Sequence, residues 1–168
     1  MGTTPNGIFY PDTSSQVGLV RSHLQQLAET ADAAIGGSAW PAYTPTWTTT
    51  GTAPSLGNGT WDARSVKIGK TVHFTIALTW GSTTNGGTGG WRITLPYTPR
   101  LSRVTFYGEA LDTGVSARPA AAVWETATGA FLSIVTQSDT AQAAVTATAP
   151  FTWGTGDRLY IGGTYETT

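Results

Sequence analysis

Between residues 71 and 80 the chain alternates without interruption: Val72, Phe74, Ile76, Leu78 and Trp80 are apolar, while Thr71, His73, Thr75, Ala77 and Thr79 are small or polar. Successive side chains on a strand point to opposite sides, so this period of two dictates a strand with one core face and one solvated face. Just before it, Val66 and Ile68 alternate with Lys67, and Gly69-Lys70 is a two-residue link suited to closing a hairpin. Shorter β-like runs follow at 91–95, 103–111, 120–125, 131–136, 143–148 and 158–165, each punctuated by Gly, Pro or Asp. About eight strands at intervals of about ten residues predict an antiparallel β-sandwich or jelly roll over 37–168. Trp40, Tyr43 and Trp47, separated by Pro41 and Pro45, suit an irregular lead-in or edge strand. The Gly, Ser, Thr and Asn of 81–90 have no apolar area to bury and predict an exposed, mobile loop.

Ahead of the strands the period changes. Val17, Val20, Leu24, Leu27, Ala31 and Ala34 are spaced 3, 4, 3, 4 and 3, the a/d rhythm of a coiled coil. Thr13 followed by Gln16 matches a capping box, and Gly36-Gly37 supplies a stop, giving a helix within 13–36. The face carrying Gln25, Glu29 and Asp32 is polar, so the apolar stripe has two destinations: sister helices around a symmetry axis, or a sheet of the same chain. A helix this short is marginal alone, whereas burying a Val or Leu side chain contributes about 1.5–3 kcal/mol. The expected fold is therefore mainly β, a short coiled-coil stalk followed by a β head.

Residues 1–12 place Pro5, Ile8, Phe9, Tyr10 and Pro11 together, too interrupted for regular structure and too apolar for a solvated tail. This segment is expected to dock, either on another protein or back on its own chain. It has no basic region followed by a long apolar run, and Asn6 breaks the myristoylation pattern that Gly2 begins. With 168 residues the chain supports one core, and the absence of cysteine leaves packing alone to hold it. Only 11% of residues are charged and the net charge is -1, so no general attraction to nucleic acid or anionic membranes is available.

Thr4-Pro5-Asn6-Gly7-Ile8, Tyr10-Pro11-Asp12 and a short helix ending in Asp32-Ala33-Ala34-Ile35-Gly36 resemble the N-termini of actinobacterial phage minor tail proteins. So do Tyr43-Thr44-Pro45-Thr46-Trp47, the Gly-Asn-Gly-Thr turn at 57–60, Ile68-Gly69-Lys70-Thr71-Val72, Phe151-Thr152-Trp153, Gly156-Asp157-Arg158-Leu159 and Gly163-Thr164-Tyr165-Glu166. The resemblance spans nearly the whole chain. It implies a virion protein, a trimeric fibre or spike on tail or capsid, with residues 1–12 as the attachment segment. The long shaft repeats of large tail fibres are missing.

The chemistry-bearing inventory is thin: two histidines, ten carboxylates and no thiol. His23 falls beside the helical stripe and His73 on the polar face of its strand, neither with a second histidine at metal-ligand spacing. Glu109 and Asp112 are an odd number of residues apart, which in a strand sends them to opposite faces and rules out a glycosidase pair. Gly69-Lys70-Thr71 resembles the end of a phosphate-binding loop, but Arg64 stands where the first glycine is required. Asn58-Gly59-Thr60 reads as a turn. No residue is assigned to catalysis, a cofactor or a metal.

Seven tryptophans are many for this length, and indole faces stack on sugars. Trp47, Trp61, Trp80 and Trp153 are expected in the core or at a subunit interface. Trp91, beside the glycine-rich loop and Arg92, and Trp124 are the candidates for a glycan contact. Two readings follow: a non-enzymatic homotrimeric fibre that joins another virion protein through its N-terminus and attaches to the host surface, or a monomeric carbohydrate-binding module. A capsid-bound decoration protein is a variant of the first.

Overall fold

The computed structural model describes residues 2–5, 7–10, 18–35, 40–101, 104–115, 120–125, 131–137 and 142–168. They include one helix, α1 (Gly18–Ile35), and the strands β1 (Gly2–Thr3), β2 (Phe9–Tyr10), β3 (Trp47–Thr49), β4 (Thr60–Ile68), β5 (Thr71–Thr79), β6 (Trp91–Thr94), β7 (Thr105–Leu111), β8 (Ala120–Glu125), β9 (Phe131–Gln137), β10 (Gln142–Ala144) and β11 (Arg158–Glu166). β1 and β2 form a separate antiparallel pair. The other nine strands make one antiparallel sheet in the order β3-β6-β9-β8-β7-β11-β5-β4, with β10 on β9.

The hairpin legible in the alternation of 71–80 is the longest ladder, running from Thr60↔Thr79 to Ile68↔Thr71. Gly69 turns it at φ 59°, where a Cβ would meet nothing within 4 Å, so the glycine serves the backbone conformation alone. β5 buries Val72, Phe74, Ile76 and Leu78 as expected. β4 begins six residues before the apolar run that suggested it, and its inward positions are Trp61 followed by the small Ala63 and Ser65. Val66 lies on the other face, register-matched to His73, and Ile68 is exposed.

The sheet curls until its ends meet. Residues 41–43 lie along β4, with the bridge Ala42↔Arg64 and hydrogen bonds from Tyr43 N to Ala63 O (2.9 Å) and Ser65 N to Pro41 O (3.2 Å). The same segment continues as β3 onto β6. Trp47 of β3 therefore touches Trp61 of β4, ring centroids 6.0 Å apart, although these strands stand at opposite ends of the ladder. A mainly antiparallel β head is what the spacing predicted. Residues 41–49 pair first with β4 and then with β6, so one continuous ladder joins the two ends of the sheet.

Aromatic rings fill both ends of the enclosed core. At one, Trp80 stacks on Trp91 and Trp153, each at 5.7 Å, while Trp47 meets Trp91 edge-on at 4.9 Å. At the other, Phe74 and Phe106 meet edge-on at 4.9 Å with Tyr165 against both. Gly163 makes room there, because a Cβ on it would collide with the Phe106 ring.

Residues 81–90 are not the loose loop their composition suggested. Ser55 and Asn85 exchange backbone hydrogen bonds of 2.8 Å, and the Asn58 side chain accepts from Thr83 N at 2.9 Å. Thr52 N donates to Thr88 Oγ1 at 2.8 Å, and Gly90 N to Thr50 Oγ1 at 3.0 Å. Threonine and asparagine side chains thus add to the backbone hydrogen bonds that hold this segment, and Gly86 packs against the Trp80 and Trp91 rings.

Candidate functional site

Two surfaces stand out: the helix α1 and the outer face of the head. On α1, Val20, Leu24 and Leu27 are 50%, 41% and 65% exposed, Ala34 is exposed and Ala31 half-buried. The row that α1 turns toward its own chain is the adjacent one. Arg21, Gln25, Ala28 and Asp32, spaced 4, 3 and 4, are half-buried or buried, and Ala28 is 7% exposed. Neighbouring rows of a helix point in directions tens of degrees apart. Covering the small and polar row therefore leaves the apolar row facing outward.

A hydrogen bond ties the covered row to the N-terminal segment. Thr4, 7% exposed, donates through Oγ1 to Asp32 Oδ1 at 2.8 Å and accepts from Ile8 N at 3.1 Å. Its backbone N donates to Ile8 O at 2.9 Å, closing the β1-β2 hairpin around Gly7, whose φ is +79°. α1 touches β2 and, more lightly, β4. The N-terminal segment thus docks on α1 of its own chain. Of its expected attachment residues, Pro5 is exposed, Ile8 half-buried, Phe9 and Tyr10 form β2, and Pro11 lies outside the described residues. Val17, Thr13, Gln16, Gly36 and Gly37 also lie outside them. The alternative in which the stripe packs on a sheet of the same chain is not what Val20, Leu24 and Leu27 do.

The tryptophan expectation needs correction. Trp91 is 1% exposed, its Nε1 donates to Gly86 O at 3.0 Å, and rings of Trp47, Trp80 and Trp153 surround it. Its faces are closed to a ligand, because the glycine-rich segment that suggested exposure packs over it. Trp47, Trp61, Trp80 and Trp153 are packed together as expected. Trp124 lies in β8 opposite Thr105, its side chain outside the described residues.

The exposed rings are tyrosines. Tyr107 is 83% exposed and Tyr160 36%, both on the outer face of the head beside Glu109, Asp62 and Gly162. Sequence reading passed over them because neither stands in a motif. The available signal was phase, since Tyr107 is one residue from the core residue Phe106 and three from the core residue Ala110 of its own strand.

Other polar groups are structural. Asp157, 4% exposed, accepts from Thr113 N (2.9 Å) and Thr113 Oγ1 (3.0 Å) through Oδ1 and from Gly154 N (2.7 Å) through Oδ2, joining two loops. Asp112 caps its own turn, accepting from Gly114 N at 2.9 Å. His73 Nδ1 pairs with Thr164 Oγ1 at 2.8 Å, and Trp40 lies 6.4 Å from its ring. Burial, reinforced by the neighbouring Tyr165, pushes the Tyr43 phenol far above its ordinary range. Tyr43 Oη and Trp47 Nε1 are buried with no hydrogen-bond partner among the described residues. Among the described residues no group of three His, Asp or Glu is placed to hold a metal ion, and no helix is long and apolar enough to cross a membrane.

Compared with protein-family models, curated proteins and solved structures, the chain matches none.

Proposed function

We propose that the chain is a non-enzymatic structural virion protein: a homotrimeric fibre whose N-terminal segment joins another particle protein and whose β head meets the host surface. The single observation that carries this reading is the outward apolar row Val20, Leu24 and Leu27, exposed at 50%, 41% and 65% in one chain. Three adjacent heptad positions left in water are unfavourable for a monomer, and sister helices packing knobs into holes bury them. The hairpin of residues 2–10 supports it further, because Thr4 and Asp32 hold the covered row inward and so present the other. Resemblance to phage minor tail proteins supplies the particle, on tail or capsid. Avidity supplies the attachment, since three linked heads raise effective affinity by about 10²–10⁴ without a strong single site.

Size-exclusion chromatography with light scattering tests this. The expected mass is about 53 kDa, three times the 17.6 kDa chain, falling toward a single chain when residues 13–36 are deleted. A monodisperse monomer of the intact chain at micromolar concentration overturns the trimer.

A further inference from the structure

The outer side of β7, β11, β5 and β4 carries a shallow depression of about 440 Å³ between Tyr107 and Tyr160. The register creates it. Tyr107 sits opposite Gly162, and Gly162 opposite Thr75; in the next row Glu109 sits opposite Tyr160, Tyr160 opposite Ala77, and Ala77 opposite Asp62. Each ring thus has a small neighbour across the ladder, Gly162 or Ala77, and the floor between them stays low. Tyr107 keeps 83% of its surface in water, the largest value for any large hydrophobic or aromatic side chain among the described residues. Tyr160 is steadied by Arg158, whose Nη1 donates to its hydroxyl at 3.1 Å. Carboxylates border the depression on both sides, Asp62 from β4 and Glu109 from β7.

We propose that this depression binds carbohydrate, taking a neutral pyranose of a glycan chain. An aromatic face left open on a rigid strand offers the C–H face of a sugar a stacking surface with little ordering cost. A carboxylate has about four acceptor positions, so Asp62, whose Oδ1 accepts from Arg64 at 3.1 Å, and Glu109 have capacity for sugar hydroxyls beyond any bonds they already make. The same two negative charges disfavour phosphate and other anions. The volume lies within the range of small-molecule sites.

The inference deepens the attachment reading above by naming the surface and its ligand class, and its test does not depend on assembly. The full chain, labelled with ¹⁵N, is titrated with maltohexaose, chitotetraose and a neutral β-galactan oligosaccharide, and separately with inorganic phosphate. Amide shifts centred on Tyr107, Tyr160 and Gly162 are expected with at least one oligosaccharide and not with phosphate. Tyr107→Ala should weaken that binding about tenfold and Tyr107→Phe should retain it, as stacking requires. Unchanged near-ultraviolet circular dichroism of the tryptophan cluster verifies the fold of both variants. Silence with all three oligosaccharides, shifts that map elsewhere, shifts with phosphate alone, or a Tyr107→Ala variant that binds like the parent overturns the site. A trimer silent to glycans sinks only this site, whereas a monomer that binds them sinks only the assembly.

Discussion

Replacing Leu27 by alanine separates an assembly surface from a core. Leu27 is 65% exposed in the single chain, so about two thirds of its burial energy remains to be gained from a neighbour. Taking about 1.5–3 kcal/mol for a fully buried leucine, that fraction amounts to roughly 1–2 kcal/mol per chain, and roughly 3–6 kcal/mol over three chains. At 1.4 kcal/mol per factor of ten, the trimer association constant should fall by about 10²–10⁴. The isolated chain should lose little, about 0.5 kcal/mol or less, as for an exposed substitution. Sedimentation equilibrium across a hundredfold concentration range measures the first quantity, and denaturation at the dilute end measures the second. If the dilute chain loses 2 kcal/mol or more while its assembly is unchanged, the leucine packs within one subunit and the argument for the fibre fails.

Trp91→Ala should cost about 3–5 kcal/mol of stability in urea denaturation, as truncation of a buried aromatic does, rather than selectively removing ligand binding; an unaffected midpoint contradicts the tryptophan core. Gly86→Val should destabilise by about 1–3 kcal/mol, because a Cβ there would already lie 2.9 Å from both Ala147 Cβ and the Trp91 ring, and a thermal midpoint equal to the parent's refutes that close packing. Asp157→Ala leaves the backbone donors of Thr113 and Gly154 without their acceptor, a loss of about 1–3 kcal/mol for each buried group, read by calorimetry. Tyr43→Phe removes a hydroxyl with no partner among the described residues and should be neutral or stabilising. It should also flatten an alkaline loss of stability. Below about pH 10 the phenol is protonated in both states; above it the unfolded chain releases the proton that the buried phenol retains, so folding weakens as pH rises. Equal alkaline denaturation profiles for parent and variant refute this.

Periodicity made much of the head legible. The 71–80 alternation and the Gly69-Lys70 turn locate the hairpin, and the later runs land within a few residues of β6, β7, β8, β9 and β11. What stayed hidden had no period. The start of β4 is written in Ala63 and Ser65, which are buried although small, and small residues carry no burial signal of their own. The 81–90 segment reads as solvated because its hydrogen bonds go to Thr50, Thr52, Ser55 and Asn58, partners at least 24 residues distant.

Local pattern by itself located the main strands of the head and a helix with one apolar row, and showed that no cysteine chemistry is available, since each depends on neighbours within a few positions; it missed the β1-β2 pair in the segment read as too interrupted for regular structure. Tertiary structure alone decided that the sheet closes into one ladder, that Trp91 is sealed rather than displayed, and that Tyr107 and Tyr160 stand over small neighbours. It also decided which helical row is covered: a hydrogen bond from Thr4 to Asp32 ties that row to the N-terminal hairpin, and no periodicity encodes a contact across 28 residues.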